Sequence, residues 1–212
     1  MIRLVVADDQ AILRSGLVAL LRLESGIEVV GEAADGASTL AAVAEHRPDD
    51  VLLLDVQMPA GTTADGAAGP DDGIAVAETL NGTDGAPRTI VLTTFGRAGY
   101  LRRSMEAGAL GFMVKDTPVE QLVDAIRRVH QGLRVVDPEL AAQSLAVGPS
   151  PLTTKETEVL QAAAAGGTTA SIARTLFLSE GTVRNHISAV IGKLGVTHRA
   201  EAVRTASDNG WI

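Results

Sequence analysis

Two unlike halves are predicted: an α/β domain built on a parallel sheet, then a small all-α domain. Three observations carry that reading. Short aliphatic runs alternate with helical patterns from the N-terminus to residue 131. Beyond residue 151 no such run recurs, and apolar residues fall at helical spacing. Between the two, residues 132–150 break the rhythm with Pro138, Gly148 and Pro149, and read as a linker with one short helix near residues 139–145. The expected organisation is therefore 1–131, a 132–150 linker, and 151–212.

In chain order, Ile2–Ala7 (IRLVVA) is the first strand and residues 11–23 the first helix. Strand Ile27–Ala33 and helix 37–46 follow, then strand Val51–Asp55 (VLLLD) and helix 74–80. Strand 89–94 precedes helix 99–107, and strand Gly111–Val114 precedes helix Val119–His130. Runs this short and this rich in branched aliphatics suit strands buried on both faces of a parallel sheet. Their alternation with helices covers both faces. Five such strands give a flavodoxin-like doubly wound order. Residues 60–71 (AGTTADGAAGPD) have no apolar period and read as a flexible loop directly after Met58-Pro59. The last part reads as four helices: 155–165, 168–176, Glu180–Leu194 and 199–209. Gly166-Gly167 stops the first, Thr168 or Thr169 can cap the second, and Ser179 opens the third.

Composition removes several function classes. Hydrophobic residues make up 46% of 212, enough for real cores. No cysteine is present, which excludes disulfides, thiol catalysis and cysteine-ligated metal. No apolar stretch reaches the ~18 residues of a membrane span, and the N-terminus lacks a basic-then-apolar signal. A cytoplasmic protein without membrane association is expected. The net charge of −8 is uneven. Residues 1–149 hold 12 basic against 21 acidic side chains, a net −9, and residues 150–212 hold 6 against 5, a net +1. That balance argues against a generic nucleic-acid coat and leaves room for a small C-terminal DNA reader.

Three aspartates end two of the strands. Asp8 and Asp9 follow the first, and Asp55 closes the third. Ligands of open α/β sheets collect at this carboxyl edge. At ~4 Å and an effective dielectric of ~20, each carboxylate pair repels by roughly 4 kcal/mol. A divalent cation relieves that repulsion, and hard oxygen ligands suit Mg²⁺. The main-chain carbonyl of Gln57 is a further candidate oxygen. Asp55 is the candidate nucleophile for a phosphoryl group, forming an acyl phosphate. Thr93, ending the fourth strand, and Lys115, just past the fifth, can each serve one phosphoryl oxygen. Taken singly, such an aspartate is more often a helix cap, such a threonine a strand former and such a lysine a solvated charge. Five of them at strand ends of one sheet outweigh those readings. For Phe112, core packing and a switch role both stay open.

Residues 1–131 resemble the receiver domain of two-component response regulators. The resemblance rests on Asp8-Asp9, VLLLDVQMP around Asp55, VLTTF with Thr93, and GFMVKD with Phe112 and Lys115. It implies phosphorylation of Asp55 by a sensor histidine kinase, a bound Mg²⁺, slow self-dephosphorylation, and Thr93 and Phe112 as switch residues. The departure is the 60–71 segment, since receivers pass from Met-Pro to an Asp-Gly pair, here Asp72-Gly73, in fewer residues. A cover over the acidic pocket, slower phosphotransfer and selection of a partner kinase are the roles open to it.

The stretch 171–194 (SIARTLFLSEGTVRNHISAVIGKL) carries two apolar stripes. Ile172, Ala173 and Leu176 form one, and Val183, Ile187, Val190, Ile191 and Leu194 the other, about a short turn at residues 177–181. This is a helix-turn-helix pattern. Its second helix turns Arg184, Asn185 and Ser188 outward; Arg suits guanine, Asn adenine, and Ser either. Thr182 and Lys193 suit phosphate contacts. On its own the pattern fits an amphipathic hairpin with a solvated face better than a DNA reader. Residues 151–212 as a whole, however, resemble the LuxR-type DNA-binding domain through LTTKETEVL, the 171–194 run, THRAEAV and the terminal GWI. That implies a four-helix domain whose 183–193 helix enters the major groove of double-stranded DNA. Together the halves resemble the NarL/FixJ-type response regulators. His186 suits packing or a phosphate contact, and the scattered histidines 46, 130, 186 and 198 offer no zinc site.

The expected function is a phosphorylation-controlled transcription factor, not an enzyme. One small domain of +1 charge binds DNA weakly, so two copies on neighbouring half-sites are expected. Phosphorylation of Asp55 is expected to favour that homodimer, through receiver helices or helix 199–209. A Mg²⁺-dependent phosphohydrolase is the enzyme rival, but it wants an acid two residues after the nucleophile, where Gln57 stands. A phosphate-independent dimerisation platform is the third reading.

Overall fold

The computed structural model describes residues 1–46, 51–94 and 98–212. The chain divides into two compact units, the first comprising Met1–Gly96 and Leu101–Ala141 and the second Arg97–Tyr100 and Ala142–Ile212. In the first unit β1 (Ile2–Ala7), β2 (Ile27–Ala33), β3 (Val51–Asp55), β4 (Arg88–Thr93) and β5 (Gly111–Val114) alternate with helices. Those helices are α1 (Ala11–Leu21), α2 (Gly36–His46), α3 (Gly73–Leu80), α4 (Ala98–Glu106) and α5 (Val119–His130). A two-residue β6 (Val135–Val136) follows, then α6 (Pro138–Val147).

All strand pairs are parallel and the order is β2-β1-β3-β4-β5-β6. The doubly wound α/β expectation holds, with one addition. The sheet has six strands rather than five, because part of the expected linker joins it. Gly132, at φ +82°, ends α5, and the Val135 N–H then donates to the Leu110 carbonyl at 2.8 Å. Val135 and Val136 thereby pair with Gly111 and Phe112.

Side chains alternate across each strand. On one face Leu4, Val6, Leu53, Ile90 and Met113 form a core with Val18 and Leu21 of α1 and Leu122, Ile126 and Val129 of α5. Val5, Leu52, Leu54, Val91 and Phe112, all fully buried, alternate to the other face. α1 ends at Leu21, not residue 23, since Leu23 is exposed and has no core to cover. Phe95, the last residue of the VLTTF run, lies outside the described residues.

The 60–71 segment is not the flexible loop expected. Thr62 and Ala68 form an antiparallel bridge, the Thr63 N–H donates to the Ala67 carbonyl and the Gly66 N–H to that of Thr63. Its base caps α2: Gly36 and Ala37 N–H groups donate to the carbonyls of Pro59 and Ala60, each at 2.9 Å. A Cβ on Gly36 would stand 2.1 Å from the Pro70 carbonyl oxygen, so glycine is what lets the two main chains meet.

The second unit holds four helices after α6: α7 (Thr154–Ala164), α8 (Thr169–Thr175), α9 (Glu180–Leu194) and α10 (Arg199–Asp208). Each opens on a side-chain cap. Thr153 makes a full capping box with Glu156, Thr168 caps α8, Ser179 caps α9, and the His198 ring caps α10. Val159, Leu160, Ile172, Val183, Val190 and Ala202 form the core. No helix among the described residues is long and apolar enough to cross a membrane.

Candidate functional site

The parallel topology places the C-terminal ends of β1, β3, β4 and β5 along one rim. β1 delivers Asp8 and Asp9, and β3 delivers Asp55 beside Leu92 of β4. Thr93 pairs with Val114, and the Lys115 N–H donates to the Thr93 carbonyl at 2.8 Å. Asp8, Asp55 and Thr93 are buried, and Asp9 is exposed. One oxygen from each of Asp8, Asp9 and Asp55 lies within 4.8 Å of the others. The Lys115 ammonium sits 2.7 Å from Asp8 Oδ2 and 2.8 Å from Asp55 Oδ2.

Burial pushes the Asp55 carboxyl above its ordinary pKa, and the Asp8 charge adds to this. The Lys115 ammonium and the Gln57 N–H pull the other way without prevailing. Burial opposes the charge on Lys115, but contact with Asp55 and Asp8 outweighs it and holds that pKa above the ordinary value. Lys115 therefore stays an ammonium beside the three carboxyl groups. Oxygens around an octahedral Mg²⁺ lie about 3 Å apart when adjacent and about 4.2 Å when opposed. The three carboxylates are close enough together, and of the right donor type, to be able to coordinate a hard divalent cation.

Asp8 is held at every polar atom. Its Oδ1 accepts the Gln10 N–H at 2.9 Å, its Oδ2 meets Lys115, its N–H donates to the Ala33 carbonyl at 3.1 Å, and its carbonyl accepts the Arg14 guanidinium. Arg14 was not singled out by sequence reasoning, and neither was the surface beside it. Ile12, Leu13, Leu17 and Leu20 of α1 face Val119 and Leu122 of α5 across a groove of about 330 Å³, which Asp8 and Lys115 also line. Ile12 is 89% exposed. The signal was present: the apolar residues of α1 span more than the one stripe a packed helix needs. Phe112 is fully buried, so the structure displays its packing role.

In the second unit α9 buries Val183 and Val190 and exposes Arg184, Asn185 and Ser188, as expected. Arg184 lies 3.4 Å from Glu180 one turn earlier. Thr182 belongs to the N-cap, its N–H donating to Ser179 Oγ at 3.0 Å. Lys193 is exposed on α9 and pairs with a neighbouring helix. Its ammonium donates to Glu156 Oε2 at 2.6 Å, tying α9 to α7. Phe177, in the turn, is 96% exposed at φ +54°. Among the described residues, the histidines join no metal-binding group.

Residues 4–127 match the family model described as the response regulator receiver domain, and residues 150–206 match that of bacterial regulatory proteins of the luxR family. The chain is 42% identical to the uncharacterized transcriptional regulatory protein YvfU of Bacillus subtilis (strain 168), over the full length of both. It is 40% identical to the transcriptional regulatory protein DesR of the same organism, again over both full lengths. Among solved structures, the response regulator ChrA of a heme-sensing two-component system aligns with 100% of this chain and 98% of its own, at TM-score 0.57 and 33% identity.

Proposed function

Since this chain belongs to the response regulators that join a receiver to a LuxR-type DNA-binding domain, we propose that Asp55 is its phosphoacceptor and that phosphorylation there controls promoter binding. The protein is a DNA-binding transcriptional regulator and not an enzyme. In the proposed transfer an Asp55 carboxylate oxygen attacks phosphorus, an acyl phosphate bond forms, and the P–N bond of a kinase phosphohistidine breaks. The imidazole leaves with the bond's electron pair. Asp8, Asp9, Asp55 and the Gln57 carbonyl would hold Mg²⁺, which when bound offsets charge on the transferring phosphoryl group.

Lys115 and Thr93 then serve phosphoryl oxygens. The product brings about −2 where −1 stood. Lys115 must turn from Asp8 and Asp55 towards that charge, and this differential contact is what biases the switch residues Thr93 and Phe112. The apolar groove along α1 opens at Asp8 and Lys115, which suits docking of the phosphodonor kinase beside the nucleophile. Arg184, Asn185 and Ser188 read bases, with Thr182 placed at phosphate by the helix N-terminus. Phosphorylation favours a homodimer on paired half-sites, in the cytoplasm where DNA and kinase domain meet.

The observation that carries this reading is the shared ammonium: one Lys115 bridges Asp8 and Asp55 at 2.7 and 2.8 Å at the sheet rim. The test is incorporation of phosphate from acetyl phosphate with Mg²⁺, followed by sedimentation and DNA binding. Incorporation is expected in the wild type and absent in Asp55→Asn. Equal labelling of the two removes Asp55 from the mechanism. Equal DNA affinity with and without phosphate favours a phosphate-independent platform.

A further inference from the structure

We infer that Arg14 is a positioning residue for the divalent cation: its guanidinium fixes the Asp8–Asp9 peptide plane, and through it the direction of the Asp9 carboxylate. The inference rests on reading Asp8, Asp9 and Asp55 as the cation's ligands. Asp55 is held by its buried strand, and Asp8 by Gln10 and Lys115. Asp9 is exposed on the turn that follows. The peptide joining Asp8 to Asp9 offers one carbonyl, and that oxygen accepts a hydrogen bond from Arg14.

Arg14 is placed for this by α1. Its own N–H donates to the Gln10 carbonyl at 2.9 Å, so it sits one turn into the helix, and side chains there lean back towards the N-terminus. Its side chain is only 18% exposed, and Nε lies 3.7 Å from Glu32 Oε2 on β2. Glu32 pairs in register with Val6 of β1, so the brace spans the strand that carries the aspartates and its neighbour. A guanidinium can serve a carboxylate and a carbonyl at once in fixed directions, which an ammonium does less well.

The sign of the effect separates positioning from plain electrostatics. A positive charge near the cluster opposes a divalent cation, so loss of that charge alone tightens binding. Loss of the brace frees the peptide plane and weakens binding. Groups that orient metal ligands typically change affinity by about 10–100-fold when removed.

The experiment is a Mn²⁺ titration of the unphosphorylated full chain by electron paramagnetic resonance. Arg14→Met is expected to bind about 10-fold more weakly than wild type, Arg14→Lys to fall between, and Glu32→Gln to shift the same way by less. In acetyl phosphate labelling the half-saturating Mg²⁺ rises in Arg14→Met while the plateau rate stays near wild type. Equal or tighter Mn²⁺ binding by a folded Arg14→Met overturns the inference. Should that variant not fold, unchanged affinity in both Arg14→Lys and Glu32→Gln overturns it. A wild type that binds no Mn²⁺ defeats the ligand reading itself, and this inference with it.

Discussion

Replacing Lys193 with methionine separates two roles that a lysine on a recognition helix can have. Its ammonium lies 2.6 Å from a Glu156 carboxylate that is only 5% exposed, while the lysine side chain is 37% exposed. Breaking a fully buried pair costs about 3–5 kcal/mol, and breaking an exposed one about 0–1 kcal/mol. Half-buried, with the capping box retained on Glu156, Lys193→Met should cost about 1–2 kcal/mol. In a module this small each kcal/mol moves the midpoint by about 4–8 °C. The chain has a single tryptophan, Trp211, packed against the core of the helical unit, so its fluorescence follows that unit's unfolding. The pair also carries a pH signature. Burial alone would raise the Glu156 pKa, but Lys193 and Thr153 outweigh it and hold it below the ordinary 4.5. A depressed carboxylate stabilises the fold above its ordinary value, and this is lost as pH falls through the folded one. Wild-type stability should therefore drop on acidification below 4.5 by a component that Glu156→Gln lacks and Lys193→Met, with Thr153 still in place, retains only in part. A phosphate-contacting lysine behaves otherwise. Unchanged stability in Lys193→Met, with the salt dependence of DNA binding reduced by about one counterion, would refute the internal ion pair.

Two further outcomes follow from backbone geometry. Phe177→Gly should stabilise the helical unit by about 0.5 kcal/mol, since a left-handed non-glycine residue costs about 1–2 kcal/mol and glycine returns part of that as chain entropy; Trp211 fluorescence in urea measures it, and a destabilised variant contradicts the strain assignment. Gly73→Ala should abolish acetyl phosphate labelling or unfold the sheet unit, because its Cβ would stand 1.9 Å from the Asp55 carbonyl oxygen. Near-normal labelling of a folded Gly73→Ala would disprove that tight approach.

Much of the fold was legible because its strands are unbroken aliphatic runs. β1, β2, β3 and β5, with α5 and α9, begin and end where the residue pattern places them. β6 was not legible: two valines make no period, and only pairing with Gly111 and Phe112 makes them a strand. The 60–71 hairpin escaped notice for a related reason. Its order comes from main-chain bonds to Gly36 and Ala37, which leave no mark in side-chain chemistry. The acidic cluster and Lys115 could be read because strand ends carry them to one rim. Arg14 could not, since its partner is a carbonyl, and every residue has one. Lys193 looked free because Glu156 lies 37 residues upstream on another helix.

The borders of the sheet limit how two copies of this chain can join. On one side β6 exposes only two residues of backbone, too few to template a neighbouring strand. On the other, β2 is longer, but it carries Glu28 and Glu32 and its register against β1 slips between Leu4 and Val5. Both margins resist edge-to-edge growth into a continuous intermolecular ribbon. A second copy meeting this chain edge to edge would therefore find little backbone to pair with.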